Sequence, residues 1–189
     1  MKKLLLLFVS MSLFVSCSDD NGETLVDVDA SEIVGKWDLI DFKSDGKTNT
    51  DAFGQSIESE YTSFGKDFDF EVDFADNPKT ATGTGSYTTV ITTKILGQSQ
   101  TQEVPTTSAN GLESATWSVN GGILTITPTN SDTPNLASDA KIIEFDGETM
   151  KLKFEINETV EEEQQGIKVT IKVNATAYLT LKKQVSTAL

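Results

Sequence analysis

Three segments of the chain alternate strictly between apolar and polar residues. Apolar side chains occupy every second position over 68–74 and 150–156, and again over a longer series that covers 167–181. Acidic residues interleave with the first series, and Lys, Thr and Asn interleave with the last. Because successive side chains of a strand point to opposite faces, this period of two predicts strands with one buried face and one wet face. Such strands are typical of antiparallel sheets.

Weaker strand patterns fill much of the remaining chain. They cover 34–43, 82–96, 99–104, 112–119, 122–127 and 141–145. Turn sequences separate several of them, at 120–122, 146–147 and 165–166. We therefore expect an all-β domain of about 8–9 strands that forms a single antiparallel up-and-down β-barrel. The long last strand favours a closed barrel over the alternative, an open β-sandwich.

One long segment, 43–66, lacks a strand pattern and exceeds the usual length of a loop. Ile57, Tyr61 and Phe64 lie within it at helical spacing, with Ser56 as a candidate N-cap. The segment predicts a short amphipathic helix or lid across one end of the barrel. A second polar loop is expected over 128–138, where two prolines interrupt the chain.

Residues 1–16 have the layout of a secretory signal peptide. Lys2 and Lys3 precede an apolar run that is too short to span a membrane and ends at Ser16. The sequence Leu13-Phe14-Val15-Ser16-Cys17 resembles a bacterial lipobox. This resemblance implies cleavage before Cys17 and the attachment of acyl chains such as palmitate, which anchor a protein to a membrane. An ordinary signal peptide followed by an incidental cysteine is the alternative.

The residues after Cys17 are polar and acidic, and they predict a flexible tether over 17–31. An acidic run beside a lipidated cysteine is similar to the export signal that sends lipoproteins to the cell surface in Bacteroidetes. We therefore expect the protein in the outer membrane or at the cell surface, with the periplasmic face as the alternative. The folded domain is expected over 32–184, followed by a tail over 185–189.

The composition excludes several classes of function. The chain carries 29 acidic and 15 basic residues for a net charge of -14, and every basic residue is Lys. There is no His, so the chain has no imidazole base, no Ser-His-Asp triad and no His-ligated metal. The acidic balance repels nucleic acid. The acidic side chains that alternate from Asp67 to Asp73 share one strand face. Calcium binding requires oxygen ligands that converge on one point, and side chains two apart on a strand do not converge. We expect no enzyme activity, cofactor or metal site.

The first predicted strand opens with the sequence Gly35-Lys36-Trp37. This Gly-x-Trp motif is similar to the start of lipocalins and of the lipocalin-like domains of Bacteroidetes lipoproteins. The resemblance covers roughly 32–184 and implies that Gly35 permits a tight entry and that Trp37 packs across the closed barrel floor. Lipocalins place an Arg over that Trp, and here Lys182 or Lys183 would take its place.

Two hypotheses of function follow from these features. The first is a lipid-anchored barrel that binds a small apolar or amphipathic ligand in its mouth. Its inward residues Phe68, Phe70, Trp117 and Phe154 would contact the ligand, and the segment around Tyr61 would act as a gate. The alternative is a display or interaction module with a filled barrel core that contacts a protein or glycan partner. The sequence identifies neither the ligand nor the protein partner.

Overall fold

The computed structural model describes residues 24–185 apart from 53, 108–113, 130–137 and 165–166. The predicted signal peptide and Cys17 lie outside the described residues. One helical turn, α1 (Ala30–Ile33), precedes nine strands. The strands are β1 (Gly35–Ala52), β2 (Gln55–Phe74), β3 (Thr80–Ile95), β4 (Gln98–Thr107), β5 (Ala115–Asn120), β6 (Ile123–Pro128), β7 (Ser138–Phe145), β8 (Thr149–Gln164) and β9 (Ile167–Lys183).

The nine strands form one antiparallel sheet that closes into a ring. Their order is β2-β1-β9-β8-β7-β6-β5-β3-β4, and β2 also pairs with β3. Eight strands therefore complete the ring, and β4 is attached to β3 alone. This arrangement confirms the predicted all-β antiparallel barrel.

The wall of the barrel is tall on one side and short on the other. β5, β6 and β7 have six, six and eight residues, whereas β1, β2, β3, β8 and β9 have 16 to 20. β5 meets β3 only at Thr80 and Ala81, and β7 leaves β8 above Phe154. We call the closed part of the ring the base. The tall part, which we call the arm, comprises 43–52, 55–66, 86–95, 98–107, 155–164 and 167–176.

Side chains fill the base. Its buried core includes Trp37, Phe74, Leu124, Ile142, Met150 and Leu152, each at most 2% exposed. Large apolar side chains from α1 and from strands on every side of the ring therefore meet in one cluster. A close-packed interior of this kind stabilises the closed ring, because burial of apolar surface is the main favourable contribution to folding.

Trp37 is fully buried at the start of β1, on the floor of the base. Its Nε1 donates a 2.7 Å hydrogen bond to the carbonyl oxygen of Ile33, a residue that is fully buried. Lys183 Nζ lies 5.2 Å from the centroid of the Trp37 ring. Lys183 Nζ also donates to the carbonyl oxygen of Glu32 at 2.7 Å. The ammonium thus ties α1 to the end of β9 above the indole.

The packed chain begins earlier than the predicted tether allows. The backbone N–H of Val26 donates to the carbonyl of Ile142 at 2.9 Å, and Val28 is 5% exposed. A Cβ at Gly122 would stand 2.9 Å from Leu25 Cβ, so this part of the chain lies close against the β5–β6 turn. The predicted flexible tether over 17–31 is therefore wrong for 25–31. Val26 and Val28 supply apolar surface that the floor buries.

The helix predicted within 43–66 is also wrong. Residues 43–52 and 55–66 form the paired upper halves of β1 and β2, with Thr50 opposite Ile57 and Gly46 opposite Tyr61. Residues four apart share a face in a helix and equally in a strand, so the spacing of Ile57 and Tyr61 fitted both. Phe64 separates the two interpretations, because an odd offset of three puts it on the opposite face of the strand.

Candidate functional site

The inner face of the arm continues the face that is buried in the base. Directly paired residues of a sheet share a face, so the register defines three lateral rows. The first row contains Gln100, Thr93, Tyr61, Gly46, Ala175 and Ile156. The second contains Gln98, Ile95, Ser59, Thr48, Val173 and Glu158. The third contains Ile57, Thr50, Ile171 and Val160. We call these rows the open inner face.

Apolar side chains of the open inner face remain in contact with solvent. Ile57, Ile95, Val160 and Ile156 are 46%, 44%, 39% and 36% exposed, respectively. Apolar residues on the same side of the sheet in the base, such as Leu39 and Leu181, are at most 3% exposed. Exposed apolar surface marks interaction sites in soluble proteins, and these four side chains supply it on this face.

Four aromatic rings separate the open inner face from the core of the base. Tyr87 lies at their centre, with ring centroids of Phe42, Phe68 and Phe70 at 5.8, 5.7 and 5.8 Å. Burial in this cluster raises the pKa of the Tyr87 hydroxyl, since the apolar rings disfavour the phenolate. These rings therefore form an apolar layer between the base and the arm.

Tyr61 lies in the middle of the open inner face, across a position without a side chain. A Cβ at Gly46 would stand 2.8 Å from Tyr61 Cε1 and 2.8 Å from Ala175 Cβ. The Tyr61 ring therefore covers Gly46, the residue opposite it on β1. This contact places an aromatic ring with a polar hydroxyl at the centre of a surface of mixed aliphatic and polar side chains, where an amphipathic partner would meet both kinds of group.

The five predicted ligand-binding residues do not line a common hollow. Phe70 and Trp117 belong to the buried core, and Phe68 and Phe154 pack against it. Trp117 Nε1 donates to the carbonyl of Ala75 at 2.8 Å, so this ring has a structural partner in the base. Only Tyr61 lies in the arm, and it lies on a strand rather than on a lid.

Sequence reasoning missed the other members of the open inner face. The alternation of β9 predicts Val173 and Ile171 as inward residues, as it does Leu179 and Leu181. Nothing in that alternation indicates that Val173 and Ile171 lie in the arm, above the short strands, whereas Leu179 and Leu181 lie in the base. The signal that could have distinguished them is the length of β5, β6 and β7.

The outer face of the arm is charged and internally paired. Lys47 Nζ lies 2.7 Å from Glu60 Oε1, Lys66 Nζ lies 2.8 Å from Glu103 Oε1, and Lys168 pairs with Glu161. An outer groove of about 450 Å³ is lined mainly by such polar residues of β1, β2, β8 and β9. Among the residues that the structure describes, no group of three acidic or sulfur ligands could hold a metal ion.

Comparisons of the chain with protein-family models, with curated proteins and with solved structures find no match. In the part of the chain that the structure describes, no helix is long and apolar enough to cross a membrane.

Proposed function

We propose that this protein is a non-enzymatic binding module of the cell envelope, and that the open inner face takes a small apolar or amphipathic ligand. One contrast carries the proposal: side chains fill the base, while the same apolar face continues into the arm and stays exposed there. We therefore place the proposed ligand site on the arm and not in the barrel interior. The filled core equally favours the second candidate, an interaction module that binds a protein or glycan partner.

The chemistry of the open inner face supports an amphipathic ligand. Ile57, Ile95 and Val160 offer aliphatic surface, and transfer of an apolar group onto such surface is favourable at about 25 cal/mol per Å² removed from water. Gln98 and Gln100 line one side of the rows, where their amides both donate and accept hydrogen bonds. A ligand with an apolar body and a polar end satisfies both regions.

The proposed lipid anchor would orient this surface away from the membrane. Residues 25–28 pack on the base, and Cys17 lies eight residues before Leu25, which spans at most about 28 Å of extended chain. The arm adds ten residues of β1 above the base, or about 33 Å at the usual rise of a strand. A base held near the lipid headgroups would therefore present the open inner face to the surroundings.

Replacing Ile57 on the inner face by serine is expected to weaken binding of the neutral apolar dye Nile red about threefold to tenfold, because the dye would lose aliphatic contact surface. The matched control is Phe64→Ser. Phe64 is 50% exposed on the outer face of the same strand and Ile57 is 46% exposed on the inner face. Fluorescence titration of residues 18–189, which contain every residue of the folded domain, measures the Nile red affinity of both variants.

We expect Phe64→Ser to leave the dye affinity within about twofold of the unchanged chain. Equal loss in both variants would contradict the assignment to the inner face, as would dye binding that neither variant alters. Thermal melting followed by circular dichroism tests whether each variant is folded. We expect both to fold, because both side chains are largely exposed in the unchanged chain.

Replacement of Cys17 by serine is expected to abolish acylation, because the thiol is the proposed attachment point. In cells fed radiolabelled palmitate, the unchanged chain should take up label and sediment with membranes, whereas Cys17→Ser should carry no label. The matched control is Ser18→Ala, which leaves the thiol in place. Label retained by Cys17→Ser, or absent from the unchanged chain, would contradict the anchor.

A further inference from the structure

The arm has two open edges, and they differ in charge. Within the described residues, β4 pairs only with β3, and the upper half of β8 pairs only with β9. Over 155–161 the β8 edge carries Glu155, Glu158 and Glu161, the first and last of them paired with Lys141 and Lys168, and charged side chains protect an edge strand from further pairing. The β4 edge is uncharged over 98–102, and the next residue, Glu103, is paired with Lys66 at 2.8 Å. The β4 edge is therefore the one that remains open to a further strand.

The hairpin turn fixes which backbone groups of β4 face outward. Ile95 pairs with Gln98 across a two-residue turn in which Leu96 and Gly97 have φ of 50° and 82°. This is the geometry of a type I′ turn, in which the N–H of Gln98 points back to β3. Backbone groups alternate along a strand, so Ser99, Thr101 and Glu103 direct N–H and C=O to the open edge.

Pro105 continues this series of outward-facing residues and ends the open edge. It has no N–H, and in edge strands proline takes a position whose nitrogen faces away from the ladder. Pro105 lies opposite Thr88 in the β3–β4 register and has the same parity as Thr101. A strand that adds to β4 therefore finds donors and acceptors from Ser99 to Glu103, and no further donor at Pro105.

We propose that a second copy of this chain pairs antiparallel with the β4 edge, about a two-fold axis that passes between Thr101 and the partner's Thr101. This register opposes Ser99 to the partner's Glu103 and Thr101 to the partner's Thr101. With the symmetric pair of Glu103 and the partner's Ser99, there are three opposed pairs, and each exchanges two backbone hydrogen bonds, about six in all. It is an isologous interface, in which both copies use the same surface.

The side chains of β4 are self-complementary in this register. Gln100 opposes the partner's Gln102 on the inner face, and an amide both donates to and accepts from another amide. On the outer face, the hydroxyl of Ser99 donates to the partner's Glu103 carboxylate. A register shifted so that the two Glu103 side chains meet is disfavoured by like-charge repulsion, because the whole chain already carries a net charge of -14.

The pairing joins two arms into one continuous sheet. Because the two β4 strands run in opposite directions, the two bases lie at opposite ends of the shared sheet. Leu96, 86% exposed at the β3–β4 turn, comes to lie beside the partner's Thr106 and loses some of that exposure. This inference does not rest on the proposed function, because the backbone pairing at the β4 edge requires no ligand on the open inner face.

Sedimentation of residues 18–189 over a range of concentrations tests the pairing. Thr101→Pro removes the central outward N–H and keeps the backbone bonds to β3, so we expect the dimer to weaken at least about tenfold. It also removes the hydroxyl that bonds Thr92 Oγ1 at 2.9 Å, a loss that the valine control shares. The matched control Thr101→Val keeps the N–H and should stay within about threefold of the unchanged chain. Small-angle scattering of the dimer should show an elongated particle with a base at each end.

A second variant tests the register itself. Ser99→Glu opposes two pairs of carboxylates across the two-fold axis and should weaken the dimer at least about tenfold, with part of the loss recovered in 1 M salt, where the Debye length is about 3 Å. A chain that stays monomeric up to about 200 µM would overturn the proposal, since an isologous pairing of six hydrogen bonds should be populated there. So would a dimer that Thr101→Pro and Ser99→Glu leave unchanged.

Discussion

Replacing Trp37 by alanine is expected to lower the free energy of unfolding by about 3 to 5 kcal/mol. The indole is fully buried on the floor of the base, and its ring lies 6.3 Å from that of Phe145. Removing it leaves a cavity in a close-packed core and also removes the hydrogen bond to Ile33. Urea denaturation followed by circular dichroism measures the change.

The control for Trp37 is another large aromatic side chain at an exposed site. Phe64→Ala removes a ring that is 50% exposed on the arm, and it should cost about 1 kcal/mol or less. A Trp37→Ala variant as stable as Phe64→Ala would contradict the role of Trp37 as the centre of the floor.

Replacing Gly85 by alanine is expected to lower the free energy of unfolding by about 3 kcal/mol or more. Gly85 has a φ of 93°, and a Cβ there would overlap the carbonyl oxygen of Asp69. That oxygen belongs to the backbone where the β2–β3 register shifts between Lys66 and Asp69. The added methyl group can be accommodated only if the two strands separate, which would disturb the aromatic layer beside them.

Gly97→Ala separates the steric effect from the backbone effect. Gly97 has a similar φ of 82°, but a Cβ there would meet nothing within 4 Å. Its substitution should therefore cost only the strain of a left-handed residue, about 1 to 2 kcal/mol. Urea denaturation of both variants gives the comparison. Equal losses would show that the close approach to Asp69 contributes nothing.

The strands of the base could be predicted from the sequence because each has one face that is buried along its length, which selects apolar residues at every second position. The inward residues from Phe68 to Phe74 alternate with acidic residues, and that pattern has a single interpretation. It was less reliable over 43–66, where the inward residues of β1 are Ser44, Gly46, Thr48 and Thr50. These small and polar side chains line an uncovered surface, so burial did not select the apolar residues that reveal a strand.

The candidate site was the harder prediction, because exposure depends on residues remote in sequence. Phe70 and Ile57 both point inward from β2, yet Phe70 is buried and Ile57 is half exposed. The difference arises where β5 leaves β3 and β7 leaves β8. Strand pairing of that kind joins distant parts of the chain, and alternation within one strand carries no information about it.

Native mass spectrometry of residues 18–189, purified without detergent from the envelope of the cells that make the chain, tests the proposed ligand site most directly. We expect a small-molecule adduct that survives in Phe64→Ser and is lost from a variant carrying both Ile57→Ser and Ile95→Ser. A clean mass for the unchanged chain would contradict the site on the open inner face, as would an adduct that the doubly substituted chain keeps in full.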